Sequence, residues 1–211
     1  MNAGKNTVIR KMAETLSVLF HPVFMPLYGL LIIYSSPTLL SFIPSQLKRM
    51  IFILVVANNV MLPVSLAAVL YARGIIRTFN ARDRNERVIL LTFSMLMYTI
   101  TAGLLMKMNV PVLFRSYFIS ITIVTLITLA ITSFYRISLH AAGIGGLLAL
   151  VVFMIMLYDI KTVWQLCTVI ITGGTVMSSR LYLDDHTPAE VWTGLLTGTA
   201  VMALSLFFLL K

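Results

Sequence analysis

Long apolar runs dominate the chain, and that one feature excludes most folds. Seven segments, at about 16–35, 50–71, 88–106, 111–133, 141–158, 163–177 and 191–210, are almost devoid of charge. A helix that crosses the hydrocarbon core of a bilayer needs about 20 such residues. The runs are continuous, not alternating, which argues against a membrane β-barrel. Charged residues make up only 11% of the sequence and hydrophobic ones 59%, whereas an ordinary soluble domain carries about 25% charge. The sequence therefore predicts an all-α fold: a polytopic transmembrane helical bundle of about six to seven spans, forming a single integral membrane domain over residues 1–211.

The first run contains HPVFMP, with Pro22 and Pro26 inside it. Proline removes a ladder hydrogen bond and clashes with the preceding turn, so this segment is expected to be kinked or partly re-entrant. Lys5, Arg10 and Lys11 precede the run. The run is too long for a signal-peptide core and no clear small-residue cleavage site follows, so a spanning segment is expected instead. The formal net charge of +9 fits the Lys- and Arg-rich loops of a multi-spanning protein and their attraction to anionic headgroups better than it fits nucleic acid. The only cysteine, Cys167, lies inside an apolar run. It can form no internal disulfide and is read as a packing residue.

Alternate crossings place the N-terminus and the 72–87, 134–140 and 178–190 loops on one membrane face. The three loops richest in arginine and histidine thus converge. That face holds Lys5, Arg10, Lys11, Arg73, Arg77, Arg82, Arg84, Arg87, Arg136 and Arg180; the other holds Lys48, Arg49, Lys107, Arg115, Lys161 and Lys211. If Arg82, Arg84, Arg87 and Arg180 are kept for chemistry, the remainder balances, and the positive-inside rule leaves the sidedness open.

Three segments carry the candidate chemistry. In SSRLYLDDHTPAEVWTG, residues 178–194, Arg180 offers a planar fork suited to phosphate oxygens. His186 is a candidate nucleophile. A helix starting near Thr187 or Pro188 would put Glu190 in its first turn, where a carboxylate can fix the tautomer of His186 and leave its other nitrogen able to attack. In FYRISLHAAGIGG, residues 134–146, Ser138 is placed to cap a helix beginning near Ala141, with His140 in the first turn. A helix start suits an anion, and an imidazole there can protonate a leaving oxygen. In ARGIIRTFNARDRNERV, residues 72–88, Arg82, Arg84 and Arg87 crowd the entry to a span and can clamp an anion. Each segment alone also fits a plainer role: a solvated interfacial loop, a capped packing helix or a basic topology signal.

Together, their order and spacing resemble the type 2 phosphatidic acid phosphatase superfamily. Its third motif, S-R-x5-H-x3-D, is matched by Ser179-Arg180, His186 and Glu190, with Glu for Asp. Its second, P-S-G-H, is matched by Ser138-Leu139-His140, without the proline and glycine. Its first, K-x6-R-P, has no equivalent string; Arg84 and Arg87, then Arg82, are the nearest substitutes. The resemblance covers about residues 82–198. It implies a phosphatidic acid phosphatase type 2-like core and a membrane lipid phosphatase. In that scheme His186 attacks phosphorus, Glu190 orients it, and His140 protonates the leaving group. Arg180, Arg84, Arg87, Arg82 and Ser138 hold the phosphoryl oxygens. No cofactor and no metal enter the scheme; the histidines and acids are too scattered for a metal cluster.

The expected partners are a lipid phosphate substrate and the bilayer, with no nucleic acid and no assignment of oligomeric state. The expected location is the bacterial inner membrane, as an integral multi-pass protein. The alternative is a non-catalytic lipid-binding or transporter protein on the same helical fold. Outside the motifs, Asn58 and Asn59 are read as helix-bonding amides, Asp185 as a loop charge, Asp159 and Lys161 as interfacial, and Trp164 and Trp192 as aromatic-belt residues. His21 has no assigned role.

Overall fold

The structure is a computed structural model that describes residues 7–38, 42–76, 83–158 and 163–211. Its helices are α1 (Thr7–Leu19), α2 (Met25–Ser35), α3 (Ser45–Val55), α4 (Leu62–Ala72), α5 (Arg84–Lys107), α6 (Val112–Thr132), α7 (Leu139–Tyr158), α8 (Trp164–Tyr182) and α9 (Pro188–Leu210). No strand occurs among the described residues. Six stretches are long and apolar enough to cross a bilayer: Thr7–Ser35, Ser45–Ala72, α5, α6, α7 and α9. The protein is thus a multi-pass membrane protein. The apolar run at 163–177 lies in α8, which falls outside this set. Threonines and serines dilute α8, and the hydroxyls of Thr168, Thr172 and Ser179 donate back to carbonyls one turn earlier, a use of side-chain donors that suits a half-polar helix.

Burial separates inner helices from outer ones. Other helices cover 56% of the apolar window of α7 and 50% of that of α6, but only 22% in Ser45–Ala72. The inner pair therefore meets protein and the outer helices meet lipid. Phe114, Tyr117, Phe118 and Leu150 are buried at the centre with Leu30 and Ile33 of α2 and Leu105 of α5. Helices in lipid gain little from apolar burial alone, so close backbone approach matters more. That approach is plainest between α7 and α9. A Cβ on Gly198 would stand 1.9 Å from the Ala142 carbonyl oxygen, and one on Gly145 would stand 2.3 Å from that of Leu195.

Two breaks shape the outer helices. The first run bends where the sequence predicts. α1 stops at Leu19, His21 is extended (φ −60°, ψ 140°), and a 3-10 turn over Pro22–Phe24 leads into α2. The second lies between α3 and α4, where Val56–Met61 forms a π-helical turn just ahead of Pro63. A proline ring cannot sit against an ordinary turn, and a π-turn is a common relief. It turns Asn58 and Asn59 inward. Asn58 donates to the Met97 carbonyl at 2.7 Å and to Thr101 Oγ1 at 2.6 Å, and Thr101 donates to Asn59 Oδ1 at 2.6 Å. These amides join α3–α4 to α5, as read from the sequence.

Candidate active site

The first turn of α5 and two inter-helix connections gather at one end of the bundle. Arg87, in the first turn of α5, is buried and donates through Nη2 to the Ile137 carbonyl in the connection before α7. Ser138 N–H donates to the Glu190 carbonyl of α9 at 3.1 Å. The 84–87, 133–140 and 180–190 segments are thereby held against one another.

The local fold of residues 180–190 follows from two helix-end devices. At the end of α8, Asp185 N–H donates to the Arg180 carbonyl and Asp184 N–H to that of Leu181, with Asp184 at φ 54°. This is a Schellman closure, and it folds Asp185 back over the last turn. Asp185 Oδ2 then lies 3.0 Å from Arg180 Nη2. Asp185 is 7% exposed, so the expectation of a loop charge is corrected: the turn places its carboxylate in the protein against a guanidinium. At the start of α9, Thr187 and Glu190 form a reciprocal capping box, with Pro188 in the first turn. Glu190 Oε2 accepts the Thr187 N–H at 3.1 Å and lies 2.8 Å from His186 Nδ1. A carboxylate only accepts, so Nδ1 carries the proton and Nε2 keeps its lone pair. The His186 side chain is 6% exposed. Burial pushes its imidazole below the ordinary histidine value; the bond to Glu190 opposes this, and Arg180 adds to the lowering. The net lowering favours the uncharged ring.

His140, in the first turn of α7, is also buried. Its Nε2 lies 3.0 Å from the Ser17 carbonyl of α1, so in the neutral ring that nitrogen donates and Nδ1 is the accepting atom. His21 packs edge-on against it, with ring centroids 5.6 Å apart at 83°.

These groups line one cavity of about 380 Å³. Its polar end holds His21, Arg87, Arg136, His140, Arg180 and His186, with the Asp185 carboxylate on Arg180. From there it descends along α5 past Leu91 and Ser94 to Tyr98, and along α6 past Thr128 and Val124 to Tyr117. Eleven residues of α5 separate Arg87 from Tyr98, which at about 1.5 Å per residue makes the slot roughly 16 Å deep. The cavity thus joins an end rich in arginine and histidine to a largely apolar remainder.

The sequence-predicted residues divide as follows. Arg87, His140, Arg180 and His186 line the cavity, with Glu190 behind His186. Arg84 is exposed at the first position of α5 and is not among the lining residues. Ser138 sits behind the wall: its hydroxyl is buried and has no hydrogen-bond partner among the described residues, so the expected side-chain cap is not made. Arg82, Asp159 and Lys161 lie outside the described residues. Sequence reasoning left His21 unplaced, between a structural role and a place in the site, and missed Arg136 and the inward turn of Asp185. The HPVFMP break was the one signal that pointed to His21. Comparison with family models, with curated proteins and with solved structures finds no match to this chain.

Proposed function

We propose that the protein is a membrane phosphatase that hydrolyses a phosphomonoester or pyrophosphate of a lipid or isoprenoid substrate through a phosphohistidine. One observation carries the reading: a neutral imidazole, oriented by a carboxylate 2.8 Å from its Nδ1, stands in a cavity that also presents Arg87, Arg136 and Arg180. An orienting carboxylate, an attacking ring nitrogen and fixed cations are the parts that phosphoryl transfer needs. The order of the motifs along the chain supports kinship with the type 2 phosphatidic acid phosphatases, and the bacterial inner membrane is the matching location.

In the first step the Nε2 lone pair of His186 attacks phosphorus. A P–N bond forms and the bond to the leaving oxygen breaks. The leaving oxygen departs with the electron pair and takes up a proton, while Nδ1–H stays on Glu190 and spreads the positive charge of the phosphorylated ring. Arg180, Arg87 and Arg136 hold the equatorial oxygens, where negative charge gathers. His140 supplies the leaving oxygen's proton by first taking one from solvent on Nδ1 and then passing it on, which returns the ring to its neutral form with Nε2–H on the Ser17 carbonyl. In the second step water attacks phosphorus, the P–N bond breaks, and inorganic phosphate leaves with His186 restored. The scheme uses no cofactor.

The test is phosphate release by the purified protein in detergent from a panel of lipid phosphates with chelator present. Turnover should be blocked by vanadate, and alkaline quench should trap a phosphohistidine on the wild type but not on His186→Ala. A His186→Ala variant that turns over normally would sink the reading.

A further inference from the structure

The histidine left over from the motifs does not behave as a bystander. We propose that His21 is a third phosphate-contacting imidazole, held in one neutral tautomer so that its Nε2–H donates a hydrogen bond to a phosphoryl oxygen in the cavity.

The tautomer follows from the helix break. With His21 extended, the N–H of Val23 loses its ladder partner, and His21 Nδ1 accepts it at 3.3 Å. A ring nitrogen that accepts carries no proton, so the proton of the neutral ring lies on Nε2. His21 lines the cavity beside His140 and Arg180, and no hydrogen bond joins its Nε2 to another described residue. The neutral ring of His140 is set the other way: its Nε2–H is directed to the Ser17 carbonyl, so the atom it offers is an acceptor. Of the two adjacent rings, His21 is the one that brings an N–H to an anion.

The segment that carries His21 is fixed on both sides. Ser17 is tied to His140 at 3.0 Å. Tyr117 Oη donates to the Met25 carbonyl at 3.1 Å, and Met25 packs so closely on α7 that a Cβ on Gly143 would stand 2.6 Å from its Cγ. A cap alone would not require this residue. Asparagine or serine satisfies an N–H two residues on with less volume; what histidine adds is reach and a second, opposite-facing nitrogen. A neutral N–H also holds an anion without placing another fixed positive charge beside Arg87, Arg136 and Arg180.

The experiment separates the cap from the donor. His21→Asn keeps an acceptor where Nδ1 sits and loses the far N–H; His21→Gln puts an amide N–H near the place of Nε2. Vanadate affinity, by titration calorimetry, and phosphate release are measured on the wild type and both variants, with thermal midpoints in detergent. Loss of one such donor costs about 100-fold in turnover. His21→Asn should show that loss together with weakened vanadate binding, and His21→Gln should recover at least about tenfold of it, with the acid limb of its pH profile unmoved. Asparagine matching the wild type in both assays overturns the inference, and so does glutamine no better than asparagine. The turnover arm rests on the phosphatase reading; the vanadate arm does not. Wild-type protein that binds vanadate through His21 yet releases no phosphate would remove the phosphatase and keep this donor. Turnover and vanadate affinity both indifferent to His21 would remove the donor alone, and wild type that binds no vanadate would remove both.

Discussion

Arg180 Nη2 and Asp185 Oδ2 stand 3.0 Å apart, each side chain within a few per cent of complete burial. A guanidinium so placed is held in a fixed orientation and is not waving in a headgroup region. Removing one partner of a buried pair leaves the other charge uncompensated, at a cost of about 3–5 kcal/mol. Asp185→Ala is therefore expected to lower the unfolding free energy by about that amount, read from denaturation in detergent. It should also weaken vanadate binding, since Arg180 loses its orientation. Unchanged stability would show that the pair contributes nothing.

Glu190→Gln tests the tautomer. The amide can donate to Nδ1, which would move the ring proton to Nε2 and occupy the attacking lone pair. Carboxylate-to-amide changes at a residue that orients a catalytic histidine have cost about 10⁴-fold in turnover. A loss of that order is expected here, with the thermal midpoint less affected because Thr187 Oγ1 still accepts the backbone N–H of residue 190. Steady-state phosphate release on matched preparations is the measurement.

The pH dependence follows from the direction of the His186 shift. Burial lowers its pKa and the bond to Glu190 raises it. The attacking form is neutral, so activity should persist as pH falls below about 6.5, the ordinary histidine value, and fade only as pH passes through the lowered value. Glu190→Gln removes the raising influence, so the acid limb of the residual rate should move to lower pH. The same sign holds for stability. The unfolded ring binds a proton at a pH where the folded one does not, so this histidine makes the fold less stable as pH falls through that window. A limb that moves upward in the variant would contradict the assignment.

Gly198→Ala addresses the helix pair. Its Cβ would fall 1.9 Å from the Ala142 carbonyl oxygen, and backbone does not yield as a side-chain tip does. Overpacking costs about 1–3 kcal/mol, and the separation of α7 from α9 would displace His140 from His186. Both the thermal midpoint and turnover should drop. Gly174→Ala, with nothing within 4 Å of its added Cβ, is the control and should change neither.

The sequence carried six of its seven runs as candidate spans, and the convergence of loops, because both depend on the length and order of apolar runs; the seventh run, in α8, is too dilute to join that set. Arg87, Arg180 and His140 reach the cavity for that reason, and His186 with Glu190 because a capping box is a local, four-residue event. What stayed hidden depends on direction. Asp185 is next to His186 in the chain, but only the left-handed residue Asp184 sends its carboxylate back to Arg180. Arg136 is a lone arginine in a short connection, indistinguishable in sequence from a surface charge. His21 lies outside the motif region, and its inward turn depends on where the first run breaks. Arg84, by contrast, sits three residues from Arg87, nearly one helical turn, and faces outward.

Where α7 and α9 touch backbone to backbone at Gly145 and Gly198, they leave no slack between them. Two rods in such contact travel as one rigid body, carrying His140 on one and Glu190 on the other. The α1–α2 break is pinned to the same pair, by His140 on the Ser17 carbonyl and by Met25 against Gly143. The pair is thus an anvil that keeps the polar end of the cavity in alignment.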